Sequence, residues 1–296
     1  MNKPGYILLL QILVFLLLSP VASAKTAAPD FNNLQLLTAE QLLGEIKIHK
    51  CTEAQLDLLL PELHRRYPGF LKRLSAIAVM YAGAPYSIDP LTDEMKSWLP
   101  YETTNCTMFI LYAAAFANSS SYHEALRHMR QLHYRQGEVS FKSRYHFTED
   151  RITDPENKYF AACTEQYVNS EKDMKQISLH LNIKKDGTFL FGGRLGPWSK
   201  KVTLRYIPRD GFHPEMMLKL PEAAGVAFVK KSNWTQGLIV GHEGLLIDGD
   251  LYHSSRASGV CIKKSFLTKE FSRSPWEGLI LYQIHEVKSP AFPGRP

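Results

Sequence analysis

Beyond its first two dozen residues this 296-residue chain has no apolar run of membrane length, no repeat period and no low-complexity tract. It also lacks any block of lysine and arginine interleaved with aromatics, and any zinc-finger spacing, which sets nucleic-acid binding aside. Neither H-E-x-x-H nor a paired C-x-x-C occurs, so no local motif proposes a metal, and no cofactor is called for. G-x-S-x-G is missing as well, which weakens the case for a serine nucleophile. Cysteine is scarce, with Cys51, Cys106, Cys163 and Cys261 the four examples. In an oxidising compartment four thiols allow two disulfides in three connectivities. If Cys106 is a free nucleophile, at most one bridge forms, and pairing among Cys51, Cys163 and Cys261 stays open.

What is present begins with "MNKPGYILLLQILVFLLLSPVASAK". Lys3, the apolar run 7–18 and the small triplet Ala22-Ser23-Ala24 make the pattern of a signal peptide cleaved after residue 24, because the run is too short to span a bilayer. The expectation is an exported chain, periplasmic or secreted, with no transmembrane anchor after cleavage and one mature domain over 25–296. Loss of Lys3 takes one charge from the formal +6, a basic balance suited to a soluble protein that meets anionic surfaces. With 45% apolar residues the chain can bury a full core.

Two capping boxes, Thr38-x-x-Gln41 and Thr52-x-x-Gln55, precede leucines at helical spacing and predict a helical N-terminal segment ending near Pro68-Gly69. A further helix is predicted over "FLKRLSAIAVMYAG". The stretch rich in Pro, Gly and Asp from Gly83 onward reads as irregular and feeds "CTMFILYAAAFA", which is apolar almost all round and therefore predicts a helix buried on every side. Residues 119–175 read as mixed helix and loop. From there "ISLHLNIKKDGTFLFGG", "KVTLRYIP", "GVAFVKK", "GLIVGHEGLLI", "DLYHSS" and "GLILYQIHEV" are strand-like runs cut by Gly, Asp and Asn. Helices first and strands last predict an α+β fold, with an antiparallel β-sheet packed on the buried helix.

Thr103, Thr104 and Asn105 are all N-cap types, so Cys106 falls in the first turn of its helix. There the helix dipole and unpaired amides favour a thiolate, lower the thiol pKa and can hold an oxyanion. The same residue also reads as a small hydrophobe that opens a core helix. A base is found in "GLIVGHEGLLIDGDLYHSS", where Asp248-Gly249 signals a two-residue hairpin. That register sets Ile247 opposite Asp250, Leu246 opposite Leu251, Leu245 opposite Tyr252 and Gly244 opposite His253. His242 then shares a face with His253 as its diagonal neighbour, and Gly244 leaves room between them. Cysteine, base and a second group orienting the base follow the logic of a catalytic triad, although one histidine in a strand is more commonly structural.

Cys106 opening a buried helix, followed by "GHEGLLI" and "LYHSSRASGV", resembles the cell-wall peptidase superfamily NlpC/P60, whose papain-like core orders its catalytic residues Cys, His and a third polar residue. More narrowly the chain resembles the N-acetylmuramoyl-L-alanine amidase-like family, DUF1460. "GAPY" is similar to that family's G-x-P-Y, "NCTMFI" to its D-C-x-T-F-V, and "LHYRQGEVSFKSRYHF" to its R-Y-R-D-G followed by S-R-x-H; "YIPRDGF" and "HSSRASGV" follow in order. The resemblance implies Cys106 as nucleophile, His242 as base and then acid, and His253 as the group orienting His242. It implies substrate-binding or oxyanion roles for Tyr86, Asn105, Arg144 and His146. The implied substrate is peptidoglycan or a muropeptide, cut at the bond between muramic acid and L-alanine or inside the stem peptide. Asn105 stands where the family carries aspartate, Met108 where it carries threonine, Leu111 where it tends to carry glutamate, and Arg151 where tryptophan is expected. These departures imply an altered pocket and leave three alternatives: a catalytically altered wall-binding protein, a cysteine acyltransferase of the same core, and a metal-dependent amidase.

Overall fold

The computed structural model describes residues 29–88, 99–168, 170–212, 214–265 and 275–288; the signal-peptide pattern lies outside the described residues. Both predicted capping boxes form. Thr38 starts helix α1 (Ala39–Glu45) and Thr52 starts α2 (Glu53–Arg66), each side chain accepting from the N3 amide while the N3 glutamine accepts from the cap amide. Helix α3 (Phe70–Met80) follows, then α4 (Cys106–Ala117), whose residues from Met108 to Ala117 are all buried. Helix α5 (Tyr122–His133) lies against α4, and the short α6 (Thr148–Thr153) leads into the sheet.

The sheet is antiparallel and has eight strands among the described residues: β1 (Phe160–Ala162), β2 (Lys175–Leu181), β3 (Lys200–Pro208), β4 (Ala223–Val229), β5 (Val240–Ile247), β6 (Asp250–Ser255), β7 (Val260–Ser265) and β8 (Gly278–Ile284). The main path runs β2-β3-β8-β4-β5-β6-β7, and β1 pairs with β8. The α+β expectation therefore holds, with one addition. Strand β1 lies in the stretch read as helix and loop, because three residues are too few to show alternation and it is strand only by borrowing the edge of β8.

Alternation along the strands separates two apolar layers. Ala227, Val229, Leu245, Ile247, Ile280 and Tyr282 join the helices in the larger core. Val226, Phe228, Leu246, Leu251, Leu279 and Leu281 form a smaller core on the other face. By this parity Glu243 faces the helices, whereas His242 and His253 face the smaller core.

Glu243 is 1% exposed and fully engaged. Its Oε1 accepts from Thr148 Oγ1 at 2.9 Å, and its Oε2 from Arg151 Nη2 at 2.7 Å and Tyr282 OH at 2.8 Å. Tyr282 reaches this position by crossing Gly225, its partner in the β4–β8 register. A methyl at residue 225 would overlap the Tyr282 ring. Gly225→Ala is therefore expected to lower the unfolding free energy by ~1–3 kcal/mol through overpacking, read as a fall in Tm; an unchanged Tm would show that the ring relocates freely.

Candidate active site

The nucleophile candidate is placed by backbone pairing as well as by its helix. Residues 83–86 lie along β7: Gly83 N donates to Cys261 O at 2.9 Å, Cys261 N to Ala84 O at 2.8 Å and Tyr86 N to Gly259 O at 2.8 Å. The segment before Cys106 lies along 85–87 in turn, with Thr104 N donating to Pro85 O and Ser87 N to Thr104 O, both at 2.9 Å. Ser254 Oγ, on β6 beside His253, donates to Thr104 O at 3.1 Å. Asn105 caps the helix, its side chain accepting from Met108 N at 2.8 Å and donating to Ile88 O at 3.1 Å. Cys106 is the first helical residue, as its N-cap neighbours predict.

The hairpin register matches the expectation at Leu245–Tyr252, Leu246–Leu251 and Ile247–Asp250, and there the β5–β6 ladder stops. Past it, His242 Nε2 and His253 Nδ1 are 2.7 Å apart, a hydrogen bond between two imidazoles on one face. A Cβ at Gly244 would stand 2.7 Å from Tyr252 O and 3.1 Å from His253 Cβ, so only glycine permits this approach. The His242 ring lies in mutual contact with Phe228, at 5.7 Å between centroids, and Trp276, at 6.0 Å.

Glu243, the next residue of β5, is the group of that strand whose backbone and charge act on the Cys106 thiol. The edge of β5 at Glu243 is open because β6 has parted from β5 here.

Electrostatics differ from the expectation of a lowered thiol pKa. Burial pushes the Cys106 thiol up from 9.0 to about 11, the Glu243 charge adds to the rise, and hydrogen bonds from the Glu243 backbone and from Thr107 offset only part of it. Desolvation of the half-buried thiol is the largest of these effects. Burial likewise brings His242 down to about 4, and brings His253 down to about 4 with help from His242 and Lys264. At neutral pH the site therefore holds a thiol and two neutral imidazoles.

Of the remaining candidates, Tyr86 lies beside Cys106, whose charge helps burial to raise the Tyr86 pKa, while Arg256 lowers it. Asn105 caps the helix with its side-chain oxygen and donates from its side-chain amide to Ile88 O. Arg144 and His146 gather instead around Phe141: Arg144 lies 5.2 Å from its ring, and His146 Nε2 pairs with its carbonyl oxygen at 2.6 Å. Phe228, Trp276, Glu243 and the exposed Arg256 are neighbours of the site that sequence reading missed. For Arg256, its place three residues after His253 was the available signal.

All four cysteines are free, and burial alone or chiefly raises the thiol pKa of Cys51, Cys163 and Cys261 to about 12, which makes them inert apolar fillers. Among the described residues no group of three or more His, Cys, Asp or Glu could hold a metal ion, and no helix is long and apolar enough to cross a membrane.

His128 and His146, like the two site histidines, are brought down to about 4 by burial. Unfolded, these imidazoles take up protons near their ordinary 6.5; folded, only near 4. Between those values the unfolded state binds more protons, so stability falls as pH falls, by up to ~1.4 kcal/mol per pH unit for each histidine. Thermal melts at about pH 7 and about pH 5 are expected to show the lower Tm at pH 5; equal values would contradict the burial of these rings.

No curated protein matches the chain in sequence. Among solved structures, a Legionella pneumophila protein of the DUF1460 family superposes with a TM-score of 0.63 at 15% identity, covering 78% of this chain and 95% of its own. An N-acetylmuramoyl-L-alanine amidase from Bacteroides uniformis gives 0.55 at 16% identity, over 73% of this chain and 98% of its own. A putative xylanase from Bacteroides fragilis gives 0.53 at 18% identity, over 70% and 98%. These likenesses establish a shared fold. The family model described as AmiA-like, N-acetylmuramoyl-L-alanine amidase-like, matches residues 76–271, from within α3 to beyond β7, and the chain belongs to that family.

Proposed function

We propose that this protein is an exported cysteine hydrolase of papain-like, NlpC/P60 type that cleaves an amide bond in peptidoglycan, with Cys106 as nucleophile, His242 as base and His253 as the group that orients it. The family supports an amidase-like activity on peptidoglycan. The observation that carries the cysteine mechanism is the 2.7 Å bond between His242 and His253, on the hairpin whose Ser254 hydroxyl holds the segment that opens the Cys106 helix. Since Nε2 of His242 is engaged with His253, Nδ1 is the nitrogen left to receive a proton.

In this mechanism the Cys106 sulfur forms a bond to the amide carbonyl carbon while its proton passes to His242 Nδ1. A thiol and a neutral imidazole favour transfer concerted with attack over a standing ion pair. Amides at the start of α4 stabilise the oxyanion, with the Tyr86 hydroxyl close to the sulfur. The C–N bond breaks as the imidazolium returns the proton to the leaving amine, and water then resolves the thioester to a carboxylate and the free thiol. For His242 to accept at Nδ1, its Nε2 must carry hydrogen and donate to His253 Nδ1. His253 then carries its own hydrogen at Nε2, an atom that is buried without a partner among the described residues. His253 Nε2 lacks a partner in either tautomer, and a water or substrate oxygen that accepts from it would favour the base-ready one.

Incubation with defined muropeptides, followed by mass spectrometry, is expected to show products heavier by one water in sum. The bond between muramic acid and L-alanine is favoured over bonds inside the stem. Cys106→Ala is expected to lose on the order of 10⁴-fold or more of the rate, His253→Ala on the order of 10²-fold or more, and a chelator to have no effect. Undiminished cleavage by Cys106→Ala removes the thiol from the mechanism. Intact muropeptides with the unmodified protein overturn the hydrolase reading in favour of wall binding alone.

A further inference from the structure

Strand β8 offers one edge to two partners. Ile207 and Pro208 at the end of β3 pair with Leu279 and Gly278, and β1 pairs with Tyr282, Gln283 and Ile284. Had β3 kept its register along β8, Arg205 would stand opposite Leu281 and Thr203 opposite Gln283. Those places are taken: Cys163 N donates to Leu281 O at 2.9 Å, and Ala161 is the partner of Gln283. The first part of β3 therefore splays away from β8 and pairs only with β2, from Lys200 to Tyr206. Between it and β1 lies a cleft of about 590 Å³, within the size range of ligand pockets.

Alternation fixes where the backbone groups point. His285 N donates to Tyr159 O and Cys163 N to Leu281 O, both at 2.9 Å, so Tyr159, Ala161 and Cys163 turn toward β8. The N–H and C=O of Phe160 and Ala162 therefore point the other way, into the cleft. On β3, Arg209 N donates to Glu277 O at 3.0 Å and Ile207 pairs with Leu279, which turns the odd-numbered residues to the β8 side. The N–H and C=O of Thr203 and Arg205 then face the cleft from its opposite wall. The bond between the Thr203 and Ser178 hydroxyls agrees, because side chains stand closest in pairs that exchange no backbone bonds. Among the described residues no hydrogen bond meets these peptide groups from across the cleft. Phe160 is only 2% exposed, so its unpaired peptide groups are also poorly reached by water.

We propose that this cleft is a binding site for an extended all-L peptide segment, which enters as an added strand between β1 and β3. Each wall is antiparallel to β8, so the walls run parallel to one another, and one segment running against both can bond to both. Outward peptide units in two facing rows are the complement of a peptide backbone, and that selects the class of ligand. Side chains of the added segment alternate between two faces. On one face they meet Ile152 at the end of α6, beside the larger core; on the other they meet Thr203, Arg205 and Gln176. The segment is accordingly one that alternates apolar and polar residues. Ala161 and Ala162 present little bulk against its approach. None of the residues lining the cleft belongs to the candidate active site, and the inference does not depend on the reading of Cys106.

The test starts from random all-L heptapeptides displayed on phage and selected against the folded protein, with the strongest binder synthesised as the probe. Amide hydrogen exchange followed by NMR is expected to show the amides of Phe160, Ala162, Thr203 and Arg205 slowed by ~10-fold or more on binding. N-methylation of an interior residue of the probe removes one donor and is expected to weaken binding on the order of 10-fold, and the all-D form should not bind. Thr203→Pro deletes a cleft-facing N–H that the β2 ladder does not use, and should weaken binding to a similar extent with the fold intact. The exchange and N-methyl measurements need no variant. A probe that binds while these amides exchange as before overturns the inference, as does a selection that yields no peptide acting on them. Self-association of the protein without peptide, with the same amides slowed, assigns the cleft to a second copy and overturns it too.

Discussion

The start of α4 meets the β5–β6 hairpin where chemistry is expected, and the Ser254 hydroxyl, donating to Thr104 O, ties the two together. Much of the architecture makes that junction available. The hairpin ladder ends at Leu245 and Tyr252, so the edge of β5 is unpaired just where the helix begins. The segment before the helix is threaded between residues 85–87 and the Ser254 hydroxyl, which sets the height at which Cys106 enters. Helix α4 itself is buried from Met108 to Ala117, so it cannot slide without disturbing the larger core.

Enclosure has an electrostatic consequence. A helix start ordinarily favours a thiolate, but around Cys106 desolvation wins, and the Glu243 carboxylate acts in the same direction. The imidazoles feel the same dryness and are held neutral. The arrangement suits a proton that moves during attack rather than beforehand. Helix α6 is the most highly charged part of the interior: Glu149, Asp150 and Arg151 are each at most 1% exposed and each is paired. Such burial is tolerated only when partners meet the charges, and those partners come from β3, β5, the segment before β5 and the turn after α5.

Much of the framework was readable in the linear order because its causes are local. Capping boxes at Thr38 and Thr52 are three-residue interactions, and the Asp248-Gly249 turn dictates register over the next few pairs. The hairpin therefore places two histidines on one face by local rules alone, and the rings do meet. Strand β1 escaped notice since nothing in its three residues distinguishes it; its partner on β8 lies more than a hundred residues away. Arg256 and Trp276 escaped as well, each acquiring its significance from a ring that folding brings to it.

The amino-acid order alone determined the α+β plan, the helix-start position of Cys106 and the pairing of His242 with His253, because caps, turns and alternation act over a handful of residues. Only the tertiary structure decided that Glu243 would face Arg151 in the core and that burial would raise the Cys106 pKa rather than let it fall. Those outcomes depend on desolvation and on partners from distant segments. Such quantities are properties of the packed interior, and no short window of sequence contains them.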